Sequence, residues 1–151
     1  MTSATSGAGR SEVEITPAAL VGLICAAGGL EVIPARAWPV EAAIEVLQQL
    51  APADGPVRRA AERWSGRRPA APGLPGVRPA LRQLAAVGSL APDGCGWRAG
   101  WRIAATWSEF HLGLLAGLQP ADRAAVQSAG QLAAEMSSSW SKNEVAAAPT
   151  S

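Results

Sequence analysis

The most constraining stretch of this chain is residues 75–107, PGVRPALRQLAAVGSLAPDGCGWRAGWRIAATW, because its apolar residues change period partway along. Val77, Leu81, Leu84 and Val87 recur at helical spacing, with Ala80 and Ala85 filling between them. Pro79 sits in what would be the first turn, where a missing N–H loses no hydrogen bond. Gly88 follows directly and suits the left-handed residue that ends a helix. Ser89 and Leu90 leave room only for a short strand, since Pro92 interrupts it. Asp93-Gly94-Cys95-Gly96 then supplies turn chemistry. From Trp97 onward the period is two: Trp97, Ala99, Trp101, Ile103 and Ala105 share one face, and Arg98, Gly100, Arg102, Ala104 and Thr106 share the other. The block predicts a short helix backed by a hairpin whose indoles pack inward and whose guanidiniums point outward. Arg78 and Arg82, four apart, share the helix face away from the leucines, with Gln83 beside it.

The rest of the chain is mostly helical by the same reading. Residues 1–13 are small and polar and are expected to be a disordered tail. Thr16-Pro17 opens a helix with a buried stripe of Leu20, Leu23, Ile24 and Ala27, stopped by Gly28-Gly29. Leu30 to Ile33 is a short apolar run closed by Pro34, suited to an edge strand. Pro39 opens a second helix to Leu50, and Asp54-Gly55-Pro56 turns into a third over residues 57–65, with Val57, Ala60, Ala61 and Trp64 inward. The Pro/Gly-rich stretch GRRPAAPGLPG, residues 66–76, is a loop. Thr106-Trp107-Ser108-Glu109 fits a capping box for a helix to about residue 118, with Phe110, Leu114, Leu115 and Leu118 inward. Pro120 opens a last helix. Val126, Ala129, Ala133, Met136 and Trp140 form a stripe along it, with small residues that permit close approach to a second copy or to the chain's own domain. The expected organisation is one domain over residues 14–141 and a disordered tail over residues 142–151.

Taken in order, PALRQLAAVGSL and CGWRAGWRIA resemble the winged-helix superfamily. The resemblance covers about a fifth of the chain and rests on element order rather than on a signature motif. It implies a mostly α fold with a small β-hairpin (α+β), a winged-helix-like core with extra N- and C-terminal helices. In that superfamily the helix before the hairpin often enters the DNA major groove, while the wing touches backbone. Carried over by position, this implies a groove-reading role for Arg78, Arg82 and Gln83 and a wing role for Arg98 and Arg102.

Charge bears on the same expectation. Residues 58–102 carry nine Arg against Glu62 and Asp93, a net +7, whereas the flanks are acidic and the whole chain is only +1. A basic middle of this kind suits a polyanion-facing surface, with Arg58, Arg59, Arg63, Arg67 and Arg68 as further phosphate ligands. Alanine supplies 33 of the 151 residues, so the core is expected to be thin and to lean on the six tryptophans.

Catalytic and metal motifs are not legible. His111 is the sole histidine and has no Cys or Asp cluster beside it, so no metal site is expected. Ser139-Trp140-Ser141-Lys142 matches S-x-x-K without the partner motifs that would give it meaning. Neither a secretory leader nor a membrane-length apolar run is present, and Cys25 and Cys95 have no paired spacing, which suggests a reduced cytoplasmic protein. Two functions follow as expectations. The first is a non-enzymatic, cofactor-free regulator that binds double-stranded DNA, has no membrane partner and dimerises through its C-terminal helix stripe. The second is a protein-interaction subunit or adaptor of a multi-component bacterial system, since the layout also resembles the small middle subunits of three-component ATPase defence cassettes.

Overall fold

The computed structural model describes residues 14–64, 76–96 and 99–147, with side chains described as far as residue 139. Helix α1 (Pro17–Gly28) is the element the others wrap. Thr16 caps it, its Oγ1 accepting the Ala19 N–H at 3.0 Å, and Gly29 closes it in the left-handed region at φ 66°. The sequence PAALVGLICAAG is apolar on every side. Such a helix has no face suited to water, and residues 20–26 are accordingly all buried. Burial also pushes the Cys25 thiol up to about 12, so this cysteine behaves as a small hydrophobe. Helices α2 (Trp38–Leu50), α3 (Pro56–Glu62), α5 (Ala105–Ala116) and α6 (Pro120–Ala147) pack around it.

A small antiparallel sheet closes one side. Strand β1 (Val32–Pro34) lies between α1 and α2, and β2 (Leu90–Asp93) and β3 (Gly100–Ile103) form the hairpin after α4 (Val77–Ala86). The strand order is β1-β3-β2, with Ile33 opposite Trp101 and Leu90 opposite Ile103. This is an α+β architecture, mostly helical. Gly100 is needed where it stands: a Cβ there would lie 2.8 Å from the Ile33 carbonyl oxygen.

A close backbone contact joins α1 to α6. A Cβ on Gly28 would lie 2.3 Å from the Gly130 carbonyl oxygen, and a Cβ on Gly130 would lie 2.7 Å from the Gly28 nitrogen. Two backbones therefore touch without side chains between them. Ala125, Val126, Ala129 and Ala133 of α6 are buried along the same helix, so its small residues serve the chain's own core. A second glycine makes room for a ring. His111 of α5 fills the space above Gly22, where a Cβ would lie 2.4 Å from the imidazole. The His111 Nδ1 lies 2.7 Å from the Trp107 carbonyl oxygen, and burial lowers the pKa of the ring, with that hydrogen bond opposing.

Several expectations need correction. Strand β2 continues through Pro92, which stands opposite Trp101. It is an edge strand, so a residue without an N–H fits there. Val87 is 75% exposed because it caps α4 rather than continuing its stripe. The alternating strand stops at Ile103, Ala104 becomes the N-cap of α5, and the capping box over residues 106–109 does not form. This early start fixes the phase of α5. Trp107, His111 and Leu115 face inward, whereas Phe110 is 61% exposed and Leu114 39%. Helix α6 runs on to Ala147 rather than ending near residue 141, since no proline interrupts it before Pro149. Residues 1–13, 65–75, 97–98 and 148–151 lie outside the described residues, and with them nearly all of the loop expected over residues 66–76 and the expected N-terminal tail.

The glycine contact makes a prediction against ordinary helix propensity. Alanine at an unconstrained helical glycine stabilises by about 1 kcal/mol. Gly130→Ala should instead destabilise by about 2–3 kcal/mol, lowering the melting temperature by roughly 5–10 °C in a thermal scan. An unchanged or raised melting temperature would show that α1 and α6 do not touch here.

Candidate nucleic-acid interface

Helix α4 owes its orientation to Val77, Leu81 and Leu84, which are buried and dock it beside β2. With that stripe inward, Arg78, Arg82 and Gln83 fall on the outward side and all three are exposed. The Arg78 Nε donates to the Arg36 carbonyl oxygen at 3.1 Å, which ties the start of α4 to the segment before α2. The Arg82 and Gln83 side chains make no hydrogen bond or ion pair among the described residues. No acidic residue occurs from Val77 to Pro92, so nothing on α4 itself neutralises this face. Gly88, at φ 89°, ends the helix and feeds the chain directly into β2.

The hairpin presents Arg102 from the central strand. Its Nη2 pairs with the Asp93 Oδ2 at 2.5 Å, across the β2–β3 ladder, while Trp101 and Ile103 pack on the core. The expected division of inward indole and outward guanidinium thus holds over residues 101–103, but the arginine is committed to a carboxylate. Arg98, Arg67 and Arg68 lie outside the described residues.

The arginines of α3 divide between structural work and exposure. Arg58 Nε donates to the Ala51 carbonyl oxygen at 3.1 Å and its Nη2 to the Gln49 carbonyl oxygen at 2.8 Å. These are carbonyls at the end of α2, which would otherwise lack partners, and Glu62 lies one turn away at 3.7 Å. Arg59 donates to the Asp54 carbonyl oxygen at 2.7 Å. Arg63 is exposed, and with Arg59, Glu14, Ile15, Pro56 and Ala60 it lines a cavity of about 100 Å³. Behind Gly55 sits the Asp122 carboxylate, buried at the start of α6, with its Oδ1 lacking a hydrogen-bond donor. Burial raises its pKa, and the nearby Arg59 partly opposes this.

The sequence-predicted C-terminal stripe is placed differently. Val126, Ala129 and Ala133 have no exposed surface and pack on α1 and α2, so they form an internal seam rather than a surface one. Met136 is half-buried, and the Trp140 side chain lies outside the described residues. Sequence reasoning also missed the α5 surface. Phe110, Leu112 and Leu114 are exposed, beside an open groove of about 400 Å³ lined by Glu31, Arg102, Ser108 and Glu109 among others. The signal available was the unusual apolarity of residues 105–117, which carries one charged side chain, Glu109. Among the described residues no group of three or more His, Cys, Asp or Glu gathers in a metal-binding arrangement, and no helix is long and apolar enough to cross a membrane.

Comparison with known protein families, with curated proteins and with solved structures gives no match.

The two kinds of arginine separate experimentally. Arg58→Ala should cost about 1–2 kcal/mol, because it strips charged donors from carbonyls at the end of α2. Arg82→Ala should leave the melting temperature within about 1 °C of the parent, as expected for an exposed side chain without partners. Equal losses in the two variants would contradict the division.

Proposed function

We propose that this chain is a non-catalytic winged-helix protein that binds double-stranded DNA, acting as a transcriptional regulator with α4 against the groove and the hairpin against the backbone. The observation that carries the reading is that the exposed Arg82 and Gln83 side chains have no partner among the described residues, on an acid-free helix immediately before the β-hairpin. The order of elements supports it, with α4 leading directly into the β2–β3 hairpin and β1 completing a sheet of order β1-β3-β2. Arginine suits guanine and glutamine suits adenine at major-groove edges, whereas Arg78 and Arg63 suit phosphate. Arg58, Arg59 and Arg102 have intramolecular partners and contribute less to this surface than the sequence suggests.

A protein-interaction role is the second reading, favoured by the exposed Phe110, Leu112 and Leu114 of α5. A surface of that kind fits an adaptor subunit, and it does not compete for the α4 face.

Fluorescence anisotropy with a labelled duplex distinguishes them. With about three phosphates neutralised, log K should fall against log salt with a slope near −3. Replacing Arg82 and Gln83 together by alanine should weaken binding about tenfold at low salt while leaving the fold intact. An absence of duplex binding at low salt would remove the DNA reading and leave the adaptor role.

A further inference from the structure

The surface of α5 opposite the core is largely apolar. Residues 105–117 expose Phe110, Leu112 and Leu114, and Glu109 is their only charged side chain. A solvated helix face normally carries several charges. Phe110, Gly113, Leu114 and Gly117 recur at positions i, i+3, i+4 and i+7, so they form one stripe along the exposed side. It combines a projecting ring with two places that have no side chain.

Among the described residues no contact requires either of those two glycines. A Cβ on Gly113 would meet nothing within 4 Å, and one on Gly117 would meet only ordinary contacts at 3.6 Å and beyond. This separates them from Gly22, Gly28 and Gly130, each of which faces an atom under 3.0 Å from where a Cβ would stand. A glycine inside a helix weakens it, and at Gly113 no contact with the described residues explains that loss, whereas Gly117 is the C-cap of α5. A neighbouring backbone approaching Gly113 from outside would explain it.

We infer that the exposed face of α5 is a homodimer interface, on which α5 of a second copy packs antiparallel about a two-fold axis passing between Gly113 and Leu114. The sequence of the stripe selects this occupant. With the axis there, Phe110 of one copy falls over Gly117 of the other, and Gly113 falls against Leu114. Each ring thus meets a groove, twice over, as a two-fold interface requires. The charges agree as well. Glu109 falls near the end of the other copy's α5, where the Arg123 guanidinium is held by the carbonyl oxygens of Leu118, at 2.9 Å, and Ala116, at 3.4 Å. The two α5 helices bring no like charges of their own together, since Glu109 is the sole acidic or basic side chain on α5 besides the buried His111. A parallel arrangement would instead set Glu109 against Glu109. The buried stripe of α6 is not part of this contact. The inference is independent of DNA binding.

Sedimentation equilibrium of the full chain over a wide concentration range tests it. The mass should approach twice 15.4 kDa at high concentration. Gly113→Leu should hold the protein at the monomer mass, raising the dissociation constant by at least about tenfold, with the circular dichroism spectrum and melting temperature of dilute protein preserved. Phe110→Glu should do the same. In a Cys95→Ser background, Gly113→Cys should form an intermolecular disulfide under mild oxidation, as residues beside a two-fold axis do. A parent protein that stays monomeric throughout would overturn the inference, as would a dimer that Gly113→Leu leaves intact. A monomer whose melting temperature falls with Phe110→Glu would also overturn it, assigning the face to another segment of the same chain.

Discussion

The backbone contact between Gly28 and Gly130 sets the geometry on which the rest of the molecule depends. Helix α1 is apolar on every side and can exist in water only if it is surrounded. Covering it with large side chains would need a thicker core than a chain with 33 alanines can supply. Close approach solves the problem differently. Where two helices touch through glycine, with Ala125, Ala129 and Ala133 nearby, dispersion contacts are dense although each side chain is small. The same device recurs where His111 sits over Gly22. The core is thin, as the composition suggests, but it is closely packed.

This frame determines which surfaces remain available. Because α1 is covered by α2, α3, α5 and α6, helix α4 is left at the side, attached through Leu81, Leu84 and β2. Its outward face therefore carries no packing duty among the described residues, where the Arg82 and Gln83 side chains have no polar partner. Among the described residues helix α5 is covered on one side only, which leaves Phe110 and its neighbours outward. The two faces proposed for DNA and for a second copy lie on different helices, so neither use obstructs the other by sharing residues.

Much of the fold was legible in the sequence where the signal was local. Thr16-Pro17 and Gly29 bound α1, Pro120 opens α6, and Val57, Ala60, Ala61 and Trp64 are buried as their spacing implies. The helix–hairpin block was legible for the same reason, since its change of period happens within one short stretch. What failed depended on distant contacts. The phase of α5 cannot be read from ATWSEFHLGLLA, which is apolar around most of its circumference. It is fixed by Gly22, more than eighty residues earlier, which accepts the His111 ring. The small residues of α6 correctly signalled close approach, but nothing in that helix says whether the partner is α1 or another copy. Arginine roles were the least legible. Arg58 and Arg82 look alike in sequence, yet one serves the end of α2 and the other faces solvent.

Amide hydrogen exchange of the native protein tests most directly whether the α1–α6 contact is the keystone. Amides within α1 and in α6 around Gly130 should exchange slowest, only through global unfolding, while those of α4 and the β2–β3 hairpin open locally and exchange faster. Slowest exchange in the hairpin, with α6 opening independently of α1, would contradict the account.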